Sequence, residues 1–286
     1  MTQITFTAGV LPNRAVITVE GEDSRTFLQS ILSCDVSQLQ EDQAAYGALL
    51  TPQGKILFDV FVQDRRDGIF YVDCAASQIN DLVKRLSLYK LRAKVRINHD
   101  QLLRVTVWPF EPGNGLEAFV DPRSSLMGWR AYMPGGSKSN AHEDAQAEGY
   151  DAARIALGLA DTDADLGSGE FFPHEANLDQ FGGVSFTKGC YVGQEVVSRT
   201  EHRGTARSRI LPIALDGPAP ARGSDIRADG LSIGTVLGGL GQRALALIRL
   251  DRLAEATAPL LTEGVRVRVL KPPFARYDVP GAKDDA

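Results

Sequence analysis

Lys188-Gly189-Cys190-Tyr191-Val192-Gly193-Gln194-Glu195 sets a thiol between two glycines and beside a lysine, just ahead of a segment that reads as a helix. A thiol so placed is open to close approach by a ligand, and the lysine and the positive end of a helix dipole both favour its thiolate. Three roles stand open for Cys190: a nucleophile, a single ligand lent to a metal cluster, or a small buried apolar side chain. The first needs a base, and His202 lies twelve residues on with no spacing that proves contact. The second needs ligands from elsewhere, because iron–sulfur clusters take about four cysteine-type ligands.

Upstream, Pro173-His174-Glu175-Ala176-Asn177-Leu178-Asp179 lies in a loop from Asp161 to Val184 rich in Asp, Gly and Pro. Loops of that length inside a domain tend to be functional. In a half-closed pocket Glu175 would hold the adjacent ring N–H and exocyclic amine of a pterin or guanine; on a solvated loop it would hold nothing. His174 by itself reads as a hydrogen-bonded loop residue. Downstream, Gln194 to His202 reads as a short helix with Glu195 and Arg199 paired at i, i+4. Arg199, His202, Arg203 and Arg207 form either a solvated basic face or a meeting point for an anion, such as the carboxylates of a ligand tail.

In Ile56-Leu57-Phe58-Asp59-Val60-Phe61-Val62, alternation puts Ile56, Phe58, Val60 and Val62 on one face and Leu57, Asp59 and Phe61 on the other. Both faces are apolar, so Asp59 must find partners, protonate or line a polar cavity. One reading is a structural aspartate held by a backbone amide or an arginine from Arg92 to Arg96; the other is a cavity carboxylate.

Around these points strands and helices mix without strict βαβ alternation, which argues an α+β fold. Strands are expected at 15–20, 45–50, 55–62 and 69–74, with the last three antiparallel. Helices are expected from Ser24 to Leu32 behind an Asp cap, from Ser77 as a cap to Tyr89, and from Tyr150 to Gly158. After Gly204 short strands separated by Gly and Pro turns predict a small all-β sandwich or barrel, and residues 278–286 read as a flexible tail.

A chain of 286 residues suits two or three domains, and 43% hydrophobic with 23% charged residues excludes disorder as the main state. A formal net charge of −5 and a pI near 5.5 give no basic field for a phosphate backbone, so direct nucleic-acid binding is not expected. No apolar run approaches the roughly 20 residues of a membrane span, and Met1 to Arg14 shows no basic-then-apolar leader. The expectation is a cytoplasmic protein with no membrane partner. Cys34, Cys74 and Cys190 form no CxxC or Cys/His pattern, so neither a disulfide framework nor a metal site is indicated. Cys34 and Cys74 read as core or edge residues.

Taken with Pro173 to Asp179, the segment Lys188 to Glu195 resembles the signature of the YgfZ family, bacterial folate-binding proteins with mitochondrial relatives that assist iron–sulfur cluster assembly. Gly21-Glu22-Asp23-Ser24-Arg25-Thr26-Phe27-Leu28-Gln29, Gly54-Lys55-Ile56-Leu57-Phe58-Asp59-Val60, Tyr89-Lys90-Leu91-Arg92 and Tyr150-Asp151-Ala152-Ala153-Arg154 resemble the family in order and spacing, so the resemblance covers most of the chain. It implies the fold of the tetrahydrofolate-dependent T-protein of glycine cleavage. That is a pair of interlocked folate-binding α+β subdomains over residues 1–207 around a central cavity, a small C-terminal β-barrel over 208–277, and the tail.

The implied cofactor is tetrahydrofolate or a one-carbon derivative. Asp59 falls at the place of a T-protein strand aspartate near the folate and Glu175 at that of a glutamate holding the pterin, while Lys188, Tyr191 and Arg199 join the implied folate-binding set. Implied partners are folate and the iron–sulfur assembly machinery or its client proteins, with indirect effects on tRNA modification. T-proteins usually carry an Asp-Phe or similar pair where this chain has Cys190-Tyr191, and often two adjacent acids where Phe58 precedes Asp59. The expected function is a tetrahydrofolate-binding accessory protein for assembly or repair of iron–sulfur proteins, with Cys190 and Asp59 as its reactive groups. The alternative is a folate-dependent aminomethyl- or methyltransferase acting through Asp59.

Overall fold

Alternation along the strand Ile56–Asp64 organises the first half of the chain. The structure, a computed structural model, describes residues 5–41, 43–113, 115–135, 146–202, 204 and 206–282; Arg203 and residues 283–286 of the expected tail lie outside them. Ile56–Asp64 belongs to a five-stranded antiparallel sheet in the order Ala44–Leu50, Ile56–Asp64, Ile69–Ala75, Arg14–Glu20, Arg96–Asp100. Phe58, Val60 and Val62 pack on the helices Ser24–Ile31 and Ile79–Lys90, while Phe61 faces a second, central core.

Ile56 joins Phe61 rather than Phe58, against the expected alternation. Leu49 pairs with Phe58 and Leu50 with Ile56, so Leu57 bulges out of the ladder and shifts the pleat by one residue.

The two helices hold without side-chain caps. The carboxylate of Asp23 instead accepts from the amide of Lys94 at 2.7 Å, and the hydroxyl of Ser77 donates to Asp163. A lost cap costs about 1 kcal/mol. Burial of Ile79, Leu82 and Leu86, at about 1.5–3 kcal/mol each, outweighs it.

A four-stranded sheet, in the order Gly9–Val10, Leu103–Trp108, Trp129–Pro134, Phe119–Val120, closes the other side of the central core. The loop after the helix Tyr150–Leu157 fills that core with Leu166, Phe171, Leu178 and Val184, and so it is well packed despite its Gly and Pro content.

The last part of the chain is a closed six-stranded barrel of Ser208–Leu215, Arg243–Arg249, Leu231–Leu240, Asp225–Ala228, Leu260–Thr262 and Val265–Val269. Pairing of Ile213 with Val269 completes the closure and leaves no free edge. Leu211, Ile213, Val236 and Ile248 fill its interior, while Ile210, Leu237 and Leu245 face outward into the central core. The three-residue strand Leu260–Thr262 and the helix Leu250–Glu255 had no expectation from sequence, being too short to show a period. Val279, placed by sequence in a flexible tail, is buried in the barrel cluster, because its apolar side chain finds cover there.

Candidate functional site

Asp59 enters the central core at the middle of its strand and meets Arg14, which reaches over from the strand two places away in the same sheet. Arg14 Nη1 lies 3.4 Å from Asp59 Oδ2 and 3.1 Å from Asp161 Oδ2, and its Nε donates to Asp73 at 2.7 Å. Arg130 donates to the other oxygen of Asp73 at 2.7 Å and to the hydroxyl of Tyr150, which also accepts from Arg123 at 3.0 Å. Arg123 in turn holds Asp121 with two nitrogens. The rings of Phe61 and Tyr46 lie under these guanidinium groups, Arg130 being 4.0 Å from the Phe61 centroid.

All of these charged groups are buried, and the three arginines face four carboxylates, so one carboxylate is in surplus. Asp59 is that one. Burial first, then Asp161, push its carboxyl above the ordinary range against the pull of Arg14. Burial also opposes ionisation of Asp161, but Arg14 and Arg154 outweigh it and hold that group below the ordinary range. Asp59 further accepts the Thr162 amide at 3.2 Å, while its own amide donates to Thr162 Oγ1 at 3.1 Å. The strand is thereby tied to the π-helical turn Thr162–Leu166.

Glu175 is fixed from the barrel side. Its carbonyl accepts from Ile210 at 2.8 Å, Asn177 Nδ2 donates to the Ile210 carbonyl at 2.8 Å, and Arg209 grips both oxygens of Asp179 at 2.6 and 3.0 Å and the His174 carbonyl at 2.6 Å. The Glu175 side chain accepts the Phe172 amide through Oε2 at 2.9 Å, leaving Oε1 without a described partner, and burial raises its pKa. His174 Nε2 lies 3.0 Å from Glu201, and ligand atoms of His174, Asp179 and Glu201 fall within 4.8 Å of one another. Arg209 already neutralises Asp179 in that group.

The segment carrying Cys190 is anchored at both ends. Lys188 is buried, and its ammonium donates to the carbonyls of Leu32 at 2.7 Å and Cys34 at 2.6 Å, 5.2 Å from the centroid of Tyr191. Burial lowers its pKa, and the thiol that feels its charge is that of Cys34, itself pushed up to about 11 by burial. Gly193 (φ +80°) presses on the Thr51–Gly54 turn: a Cβ there would stand 2.5 Å from the Thr51 carbonyl. Cys190 between these anchors is exposed, whereas Cys34 and Cys74 are buried. Arg199 lies on the exposed face of the helix Gln194–His202 and pairs with Glu195 at 2.8 Å. The buried Tyr191 hydroxyl has no described partner.

The hairpin arm from Thr51 to Asp59 is the element these residues share: Gly193 meets its turn, Lys55 lies beside Glu175, and Asp59 sits further along the strand. A cavity of about 720 Å³ is lined by Leu11, Arg14, Ile79, His99 and Arg104, and Asp59, Glu175 and Cys190 are not among its lining residues. Polar atoms of the type a pterin pairs with lie outside the hairpin arm. Tyr132 OH, Tyr191 OH and Gln63 Oε1 are buried without a described partner, and such groups cost about 1–3 kcal/mol each until one is supplied. Sequence reasoning found Asp59 as an intruder among apolar residues but did not apply the same test to Asp73 in Ile69–Ala75 or Arg130 in Trp129–Pro134, where it would have succeeded.

The first sheet matches the family described as GCVT N-terminal domain over residues 13–108, and the barrel matches that described as CAF17, C-terminal beta-barrel domain, over residues 207–277. The chain shares its fold with the glycine cleavage system aminomethyltransferase T of Bartonella henselae, with a TM-score of 0.77 over 96% of this chain and 87% of that one at 18% identity. The class is therefore an α+β aminomethyltransferase-type fold ending in a CAF17-type barrel, as expected from sequence.

Among curated relatives, an iron–sulfur cluster assembly factor IBA57 homolog from Pyricularia oryzae is 33% identical over 89% of this chain and 74% of its own length. IBA57 of Mus musculus is 32% identical over 87% and 79%, and that of Homo sapiens 30% over 90% and 81%. The chain belongs to the IBA57 family of iron–sulfur cluster assembly factors. All three relatives are mitochondrial by name, which overturns the expectation of a cytoplasmic protein. The cysteine usage behind that expectation fits any reducing compartment, of which the cytoplasm is one.

Proposed function

We propose that this chain is a tetrahydrofolate-binding factor for the assembly or repair of iron–sulfur proteins, close in kind to the YgfZ proteins, with effects on tRNA modification arising through iron–sulfur enzymes. The observation that carries this reading is the exposed thiol of Cys190 on a segment clamped by Lys188 and Gly193. A rigidly presented thiol open to a partner suits a transient ligand for iron, completed by ligands from a second protein. Residues 1–207 form the folate-binding unit and 208–277 a barrel that braces it through Arg209 and Ile210. The open Oε1 of Glu175 and the unpartnered hydroxyl of Tyr191 are the groups offered to a pterin, and Arg199 is offered to the carboxylates of the folate tail.

A folate-dependent transferase is the second reading, favoured by one feature. Asp59 is a buried carboxyl in surplus over its arginines, a suitable proton carrier or partner for a cationic one-carbon unit. Two measurements test the first reading, and a turnover assay separates it from the second. Tetrahydrofolate binding by calorimetry should weaken about tenfold in Glu175→Ala, the loss of a charge-assisted hydrogen bond. In cells lacking the protein, Cys190→Ala should fail to restore iron–sulfur enzyme activity while still binding folate. Full rescue by Cys190→Ala would sink the thiol role, and turnover with tetrahydrofolate and an amine donor would favour the transferase.

A further inference from the structure

We infer that the outer face and C-terminal turn of the helix Ile79–Lys90 form a docking surface for an acidic protein partner, with Leu91 as an apolar anchor among cations. In a chain of net charge −5, Lys84, Arg85, Lys90 and Arg92 fall within nine residues. None of these side chains makes an ion pair or hydrogen bond with a described residue. The next cations along, Lys94 and Arg96, are paired with Glu22 at 2.7 Å and Glu20 at 3.1 Å.

Leu88 and Leu91 stand among them 62% and 88% exposed. The core has no use for them, because Ile79, Leu82 and Leu86 already bury the inner face. Leu91 is also strained: it ends the helix at φ 46°, ψ −107°, where glycine is the relaxed choice and a bulky side chain is an outlier. Within the chain this leucine gains no burial against that strain. A contact with another molecule accounts for both.

The charge selects an acidic partner, and the shape selects a protein. A bilayer would need the apolar face of the helix, which is turned inward; two leucines bring about 3–6 kcal/mol, less than a single myristoyl chain, itself a marginal anchor. Single-stranded nucleic acid is gripped by exposed aromatic rings, and the one ring here, Tyr89, packs against the sheet core. This surface lies where Gly21 meets Lys94 and Gly68, at the opposite end of the sheet from the Thr51–Gly54 turn and Gly193. A partner docked there leaves Cys190 uncovered.

The test uses the full chain and a fluorescein-labelled helical peptide with leucine on one stripe and glutamate elsewhere. Anisotropy should show saturable binding that weakens about tenfold in Leu91→Ser and in Arg85→Glu/Arg92→Glu, with folate binding unchanged in both. Leu91→Gly should melt at a higher temperature than the wild type yet bind the peptide as weakly as Leu91→Ser. No binding by the wild type, equal binding by the variants, or a Leu91→Gly protein that melts lower would overturn the proposal. So would tighter binding to vesicles of equal parts phosphatidylglycerol and phosphatidylcholine, or to oligothymidylate, than to the peptide.

Discussion

Arg14 reaches Asp59 through Nη1 at 3.4 Å, and the same nitrogen lies nearer, at 3.1 Å, to Asp161. One guanidinium is thus shared by buried carboxylates, Asp73 included. Asp161 draws in addition on Arg154 and the Asp163 amide, which Asp59 does not, and so the two carboxyls shift in opposite directions.

Asp59, raised by burial and by Asp161, favours the fold when protonated. Its contribution is complete below the unfolded carboxyl value of about 3.9 and is lost as pH rises through the higher folded value. Asp59→Asn should therefore be neutral in acid and stabilise by about 1 kcal/mol at neutral pH, read from urea titrations at several pH values. Asp161, lowered despite burial by Arg14 and Arg154, runs the other way: its contribution is present above the unfolded value and lost as pH falls through the folded one. Asp161→Asn should cost about 3 kcal/mol at neutral pH and less in acid.

Lys188→Met keeps most of the side-chain volume and removes the donor to the Leu32 and Cys34 carbonyls. Two buried acceptors lose their partner at about 1–3 kcal/mol each. The expected result is a loss of about 2–4 kcal/mol in guanidinium denaturation, with the midpoint falling and the slope unchanged.

Gly193→Ala puts a methyl group 2.5 Å from the Thr51 carbonyl at a backbone angle only glycine holds easily. A loss of about 1–3 kcal/mol is expected, together with displacement of the segment bearing Cys190. Rescue of iron–sulfur enzyme activity in deficient cells should fall toward that of Cys190→Ala while circular dichroism stays native.

Arg209→Met strands the Asp179 carboxylate and unties the 174–179 loop from the barrel. The broken buried pair should cost about 3–5 kcal/mol. Calorimetry on the folded fraction should show weaker tetrahydrofolate binding, because the Glu175 carbonyl and the Arg209 contacts share one seam.

Much of the fold was legible because its signals are local. The i, i+3, i+7 pattern of Ile79, Leu82 and Leu86 and the Gly-punctuated strands after Gly204 act over a few residues. Failures came where a distant group intervened. Asp23 and Ser77 have the chemistry of helix caps, but Lys94 and Asp163 claim them. Leu57 bulges because of its pairing with Ala44–Leu50, which nothing in its own strand announces.

The candidate site divides in the same way. By itself the sequence determined that Asp59 was a carboxylate among apolar neighbours, that Cys190 sat in a segment of family-specific pattern, and that a barrel followed. Only the tertiary structure decided that Asp59 answers to Arg14 and Asp161, that Lys188 serves Cys34 rather than Cys190, and that the barrel strand holds Glu175. Periodicity is a property of neighbours along the chain, whereas the energy of a buried charge depends on whatever lies within a few ångströms of it. For Arg14 and Asp161 that neighbour is 147 residues away.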